Sequence, residues 1–180
     1  MDELNKLMIE QLRDAYSAEK QALRIMPRMT KKVSSQTLRD ALQMHAEQTE
    51  TQVERLEQAL EMLGGKAGRK VCEGMRGILE EAQHEIEDQE KGPVLDMLVV
   101  AGIQRVEHYE IAAYGTMVAL AKAAGQTQLA DLLAETLAEE KQTDEKLSEL
   151  AESEVNPAAI EGMQQPELTN DRKGKRGAAA

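Results

Sequence analysis

The stretch that decides the fold reads Gln104-Arg-Val-Glu-His-Tyr-Glu-Ile-Ala-Ala-Tyr114, inside a long helical pattern that opens at Pro93 and stops at Gly125. Glu107 and Glu110 are three residues apart, so on a helix they share one face, about one turn from each other. Their neighbours on that face are apolar. Because two carboxylates in an apolar stripe cost free energy unless a cation compensates them, this stretch predicts a metal site.

The composition favours an all-helical protein. The 180 residues are rich in Ala, Leu, Glu, Gln, Lys and Met, with 12 Gly and 4 Pro, which is typical of helices. The length is enough for one domain with a sizeable core. The net charge of −11 argues against general nucleic-acid binding, which needs a basic face.

Three further features bound the class of protein. Cys72 is the only cysteine, so an intrachain disulfide is excluded and a reduced setting is favoured. The first residues, among them Asp2, Glu3 and Asn5, lack the basic and apolar regions of a signal peptide. No apolar run approaches the roughly 20 residues of a membrane span. We therefore expect a cytoplasmic protein that binds neither nucleic acid nor membranes.

The apolar periodicity predicts an all-α architecture. The predicted elements are helix A over 2–33, helix B over 36–63, a shorter helix over 71–90, helix C over 93–124 and helix D over about 128–153. We interpret them as an antiparallel four-helix bundle with an extra helix in the B-to-C crossover. Residues 1–155 would form the bundle, and residues 156–180 would be a disordered C-terminal tail.

The unusual carboxylates lie at one depth in this bundle. In a helical hairpin, two residues at equal depth have their sequence midpoint at the turn. Glu19 and Glu47 meet this condition at the turn between helices A and B, and Glu110 and Glu140 meet it at Gly125. The acids at this level are Glu19, Glu47, Glu50, Glu107, Glu110, Glu140 and Asp144.

Carboxylates from four helices at one level suit a pair of metal ions such as Fe²⁺ or Mn²⁺. The usual pattern combines single glutamates from two helices with Glu-x-x-His from the other two. Helix B offers Glu47-x-x-Glu50 instead, so the sequence predicts an oxygen-rich site. In this assignment Glu19 and Glu140 are terminal ligands, Glu47 and Glu110 are candidate bridges, and Glu50, Glu107 and Asp144 complete the shell.

Less specific interpretations exist for the same residues. Each acid could be a buried salt-bridge partner, and the chain a metal-free structural or partner-binding bundle. His45 lies off the Glu47/Glu50 face and is interpreted as a surface residue or one that supports a ligand. His108 is interpreted as a hydrogen-bond partner. The three tyrosines, Tyr16, Tyr109 and Tyr114, are interpreted mainly as packing residues, with Tyr16 as an alternative neighbour of the site.

Four stretches resemble the YciE/YciF-type ferritin-like family over roughly residues 3–152. They are Asp14-Ala-Tyr-Ser-Ala-Glu-Lys-Gln21, His45-Ala-Glu-Gln-Thr-Glu50, Val106-Glu-His-Tyr-Glu-Ile-Ala-Ala-Tyr-Gly115 and Glu135-Thr-Leu-Ala-Glu-Glu-Lys-Gln-Thr-Asp144. The resemblance implies a ferritin-like four-helix bundle with a di-iron site, often as a dimer. We expect two Fe (or Mn) ions per chain that react with O₂ or H₂O₂, as a ferroxidase or peroxide-consuming protein in stress protection.

The 71–90 helix leads to an expectation about assembly. It has an apolar face that includes Met75 and Ile78, and a four-helix core offers no obvious slot for it. We expect this helix to pack across the outside of the bundle and to contribute to a homodimer interface.

Overall fold

The computed structural model of the chain describes residues 3–164, which form helices and the turns between them. The elements are α1 (Glu3–Lys32), α2 (Gln36–Met62), α3 (Glu73–Glu87), α4 (Pro93–Ala123), α5 (Thr127–Leu150), a π-helical segment (Ala151–Val155) and α6 (Asn156–Gln164). Within this range, no helix has the length and apolar character that a membrane span requires.

The four long helices α1, α2, α4 and α5 pack as two hairpins, α1 with α2 and α4 with α5. The predicted all-α bundle with an extra crossover helix is confirmed. Gly125 has a φ of +70°, and the next amide, that of Gln126, donates to the Ala121 carbonyl at 2.9 Å. This left-handed residue ends α4 and lets the chain reverse into α5.

Two apolar clusters fill the ends of the four-helix bundle, and a third lies between α1, α3 and α4. One end cluster includes Leu12, Leu56, Tyr114 and Leu133, and the other includes Leu38, Leu42, Ile103 and Leu147. A layer of buried polar side chains lies between these clusters along the helices. Its members are Glu19, His45, Thr49, Gln52, Glu107, Glu110, Thr136 and Glu140. The fold thus encloses a polar layer between two apolar ends.

Helix α3 packs across α1 and α4, as predicted for the crossover helix. Its apolar side, formed by Met75, Leu79, Ala82 and Ile86, is buried within the chain. Gly102 of α4 allows the close approach, because a Cβ there would lie 2.9 Å from the Ala82 Cβ. Met75 is 0% exposed and is covered by the bundle, so it cannot lie on a dimer surface of this fold. Ile78, the other residue expected there, is half-buried.

The C-terminal boundary also differs from the prediction. Residues 156–164 form α6 rather than a disordered tail, and Val155 and Ala159 are buried at its start. Asn156-Pro157 suggests a helix stop in the sequence, but α6 follows directly on the π-helical segment, and the helix continues through Pro157. The rest of the predicted tail, residues 165–180, lies outside the described residues.

Candidate metal centre

Four glutamates and one histidine converge in the polar layer. They are Glu19 from α1, His45 from α2, Glu107 and Glu110 from α4, and Glu140 from α5, and all are buried. Potential ligand atoms of His45, Glu107 and Glu140 lie within 4.8 Å of one another, and so do those of Glu19, Glu110 and Glu140. The two groups share Glu140, so one buried carboxylate belongs to both.

Many of these ligand atoms have no hydrogen-bond partner. Buried oxygens without one are Glu19 Oε2, both oxygens of Glu107, Glu110 Oε1 and both oxygens of Glu140. His45 Nε2 does lie 2.9 Å from Glu107 Oε1, but the contact lacks the direction of a hydrogen bond. Among residues 3–164, no Lys or Arg forms an ion pair with these glutamates. Buried carboxylates in this state suit divalent cations, so the residues fit a metal centre.

The electrostatics of the layer disfavour several bare charges. Burial, followed by repulsion from Glu140, raises the pKa of Glu19 to about 8. Burial also raises the pKa of Glu107 to about 8 and that of Glu140 to about 9. The pKa of Glu110 is raised well above its usual value for the same reason, and burial lowers the pKa of His45. Without a cation, most of these groups would therefore be neutral near pH 7.

Tyr114 holds one of the carboxylates. Its hydroxyl donates a hydrogen bond to Glu19 Oε1 at 2.7 Å, and its ring is fully buried in the apolar cluster beside the layer. The sequence interpretation of Tyr114 as a packing residue missed this contact. Tyr16, the tyrosine considered as a neighbour of the site, instead donates to Glu57 Oε1 at 2.9 Å in a more exposed position.

A cluster of polar contacts joins α2 to α5 next to the candidate centre. Arg55 donates to both oxygens of Glu139, at 2.6 and 2.8 Å, and Gln52 donates to the same carboxylate at 3.1 Å. A paired guanidinium and carboxylate of this geometry fixes two helices in register. The adjacent Glu140 lies about 100° further round α5, on its buried stripe, and faces the interior.

Glu47 and Glu50 do not join the cluster, and the expectation that they face the interior is wrong. Both are exposed, and Glu47 lines a surface cleft with Pro27 and Lys31. The physical reason is helical phase. From the buried Leu42, Glu50 is rotated by about 80° and Glu47 by about 140°, at 100° per residue. Equal sequence distance from the hairpin turn does not fix the direction in which a side chain points.

His45 occupies the position that Glu47 and Glu50 were expected to fill. The buried residues Leu38, Leu42, His45, Thr49, Gln52 and Leu56 follow one another at alternating steps of three and four. This is the spacing of a buried stripe. Three of the six are polar, and that interruption of an otherwise regular pattern is the signal in the sequence that could have identified His45.

Asp144 lies beside the cluster rather than in it. Its carboxylate accepts a hydrogen bond from Gln104 at 3.2 Å and lies 3.2 Å from His108 Nε2. Its side chain is 22% exposed, and it belongs to neither ligand group. The buried stripe of α5 runs from Glu140 to Leu147. Thr143, three residues after Glu140, is the residue between them on that stripe, and the next residue, Asp144, points away from it. Of the seven predicted ligands, the structure thus brings together Glu19, Glu107, Glu110 and Glu140.

The fold and the site define a class: a ferritin-like helical bundle with a carboxylate-rich candidate metal centre. Within that class, the chain belongs to the family described as a domain of unknown function, DUF892, whose family model matches residues 3–160. The predicted resemblance to YciE/YciF-type proteins is confirmed. The chain is 43% identical to Protein YciF of Escherichia coli (strain K12) over 160 residues, which is 88% of this chain and 96% of that protein.

Solved structures agree with this assignment. The crystal structure of the E. coli stress protein YciF matches with a TM-score of 0.81 over 87% of this chain and 99% of that one, at 43% identity. YcfI of Rhodopseudomonas palustris, described as a candidate structural protein, matches with a TM-score of 0.78 at 36% identity, over 82% of this chain and 94% of that one.

A more distant neighbour supports the fold alone. It is a protein of Bacillus anthracis str. Ames described as a ferritin like, diiron-carboxylate protein. It matches with a TM-score of 0.67 at 18% identity, over 83% of this chain and 99% of that one. The bundle of this chain is therefore ferritin-like.

Proposed function

We propose that this chain binds two iron (or manganese) ions in the polar layer and reacts them with O₂ or H₂O₂, as a ferroxidase or peroxide-consuming protein in stress protection. The observation that carries the proposal is the pair of buried ligand groups that share Glu140. The description of the relative YciF as a stress protein supports the physiological part.

The residues have separable roles in this proposal. His45 and Glu107 would hold one ion, Glu19 and Glu110 the other, and Glu140 would contribute to both. Bound iron would supply the one-electron steps that glutamate and imidazole side chains cannot perform themselves. Tyr114 fixes the orientation of Glu19, and apolar clusters flank the layer on both sides.

The donor set also bears on the choice of metal. Four carboxylates and one imidazole are oxygen-rich, which suits Fe²⁺ or Mn²⁺ better than a thiolate-preferring ion. The single cysteine, Cys72, contacts Tyr109 at 2.9 Å and caps α3, and it belongs to neither ligand group. The presence of His45 makes the set less purely oxygen-based than the sequence indicated.

The experiment that tests the proposal is metal binding by calorimetry and elemental analysis on protein purified without a chelator. We expect close to two Fe²⁺ or Mn²⁺ per chain. Glu140→Ala should abolish binding of both ions because both groups include Glu140. Glu47→Ala is the matched control and should bind as the wild type does. No binding stronger than micromolar, or equal losses in the two variants, would contradict the proposal.

The alternative is a metal-free structural or partner-binding bundle, favoured by the description of YcfI as a candidate structural protein. This alternative predicts that the buried glutamates serve only packing. Replacing Glu19 and Glu110 together by Gln would then stabilise the fold with no loss of any metal-dependent property. The same calorimetric titration decides between the two functions.

Homodimerisation and a cytoplasmic location remain part of the proposal. With Met75 covered, the exposed apolar side chains Leu7, Val71 and Met62 are better sites at which to probe a dimer interface. Light scattering on the wild type and on Leu7→Glu and Val71→Glu measures this. A monomeric wild type would end this part of the proposal and leave metal binding unaffected.

A further inference from the structure

A small cavity of about 40 Å³ opens between α2 and α5 beside the candidate metal centre. Its wall includes His45, which is 4% exposed. His45 Nδ1 has no hydrogen-bond partner, and Nε2 lies 2.9 Å from Glu107 Oε1. The cavity therefore ends at a buried side chain that belongs to one of the two ligand groups.

The cavity lies in the seam between the two helices. Further along the seam, Arg55 and Glu139 join the helices by paired contacts. Leu42 and Leu147 belong to the cavity wall and are buried in one apolar cluster. The rest of the wall includes small or flexible side chains, among them Ala41, Gln48, Thr143 and Lys146.

Size and charge restrict what this cavity can hold. On this measure one water molecule needs about 10–15 Å³, so the cavity accepts about three molecules of that size. A divalent ion that keeps six waters would need at least roughly 60–90 Å³ on the same measure. Lys146 belongs to the lining, and a positive charge there disfavours cations further. A neutral molecule of two heavy atoms satisfies both restrictions.

We propose that this cavity is the binding pocket and entry route for a small neutral oxygen oxidant, H₂O₂ or O₂, and that metal ions reach the centre by another path. The inference rests on the proposed function and names the class of oxidant that reaches the site through the α2–α5 seam. His45 and Thr143 offer polar contacts, and the volume of about 40 Å³ excludes larger hydroperoxides.

The first test uses metal-free protein and dissolved O₂, whose paramagnetism speeds the relaxation of nearby protons. We expect excess relaxation of the Leu147 methyl groups in the wild type and in the control Ala112→Leu, since Ala112 is an exposed residue of α4. Ala41→Leu should fill the cavity and remove the excess. No excess in the wild type, or an equal excess in Ala41→Leu, would overturn the O₂ pocket.

The second test follows the oxidation of bound Fe²⁺. Ala41→Leu should slow oxidation by H₂O₂ at least about tenfold, which corresponds to about 1.4 kcal/mol in the barrier, and Mn²⁺ affinity should change by less than about twofold. The wild type should react with cumene hydroperoxide far more slowly than with H₂O₂. Equal rates for the two hydroperoxides, or an unchanged rate in Ala41→Leu, would overturn the proposal.

The two tests separate this inference from the proposed function. A wild type that binds no Mn²⁺ contradicts the metal centre, whereas O₂ relaxation in metal-free protein still reports on the cavity. A comparison of O₂ with H₂O₂ as the oxidant of Fe²⁺-loaded protein identifies which of them uses the pocket. If Ala41→Leu does not fold, Thr143→Leu fills the same cavity from α5 and replaces it in both tests.

Discussion

His45 Nε2 lies 2.9 Å from Glu107 Oε1, and the two side chains are 4% and 0% exposed. They come from α2 and α4, which belong to different hairpins of the bundle. Burial lowers the pKa of His45 and raises that of Glu107. When no cation is bound, the two side chains are therefore a neutral imidazole and a neutral carboxylic acid. Neutral imidazole is the form that binds a metal ion.

His45→Ala should therefore weaken the binding of Fe²⁺ or Mn²⁺ more than about tenfold, since even the loss of a residue that supports a ligand has effects of that size. Calorimetric titration measures the change. Glu50→Ala, five residues further along α2 and exposed, is the matched control and should leave affinity unchanged. A larger loss in Glu50→Ala than in His45→Ala would show that Glu50, and not His45, is the ligand from α2.

His45 and Glu47 show how far the sequence predicts the site. The depth of the polar layer follows from distances along each hairpin, because helix rise is constant at about 1.5 Å per residue. The direction of a side chain depends on helical phase, and there a difference of two residues decides the outcome. Glu107, Glu110, Glu19 and Glu140 satisfy both conditions, whereas Glu47 satisfies only the first.

Other parts of the site depend on contacts that pattern cannot supply. Tyr114 and Glu19 are 95 residues apart in sequence, and nothing in either local stretch indicates that they bond. The helix bounds, in contrast, follow from capping residues and apolar periodicity and were predicted to within a few residues at most ends. Long-range side-chain contacts therefore account for most of what the sequence missed.

The stability of the metal-free protein should fall as pH rises from about 5 to about 9. In the folded state the pKa values of Glu19 and Glu107 are raised to about 8, and that of Glu140 to about 9, from a usual 4.5. Below the usual value both states hold these protons. Above it the unfolded chain releases them and the folded chain keeps them until its own pKa, so stability is lost across that window.

Each retained proton contributes a slope of up to about 1.4 kcal/mol per pH unit. His45 opposes this trend at the acid end, because its lowered pKa favours protonation of the unfolded chain there. Chemical denaturation of chelator-treated protein across this range measures the slope.

Glu107→Gln should stabilise the metal-free form at alkaline pH and reduce the rise in melting temperature on adding Mn²⁺. A flat profile for the wild type would mean that the glutamates are solvated.

Tyr114→Phe should weaken metal binding about 10- to 100-fold, because the hydroxyl that orients Glu19 is a partner of a ligand. The metal-free fold should lose about 1 kcal/mol for the buried hydrogen bond. Tyr16→Phe removes a hydroxyl that bonds Glu57 in a more exposed position, and it serves as the control. Equal metal affinity in the two variants would show that Glu19 keeps its orientation without Tyr114.

Asp96 should matter for stability and not for metal binding. Its buried carboxylate accepts hydrogen bonds from the Ser34 amide at 2.7 Å, the Ser34 hydroxyl at 2.5 Å and the Ser35 amide at 2.8 Å. These bonds tie the turn between α1 and α2 to the start of α4. Asp96 precedes Glu107 by 11 residues, or about 16 Å along the helix.

Asp96→Ala leaves two amides and a hydroxyl without their acceptor in a largely buried place. We expect a loss of about 2–3 kcal/mol, seen as a fall of roughly 4–12 °C in melting temperature for a domain of this size. Asp131→Ala, an exposed aspartate of α5, should change stability by less than about 0.5 kcal/mol. Mn²⁺ affinity of folded Asp96→Ala should equal that of the wild type, since this carboxylate holds the hairpins together and does not approach the ligands. A variant that kept full stability but lost Mn²⁺ would show that the turn controls the geometry of the centre instead.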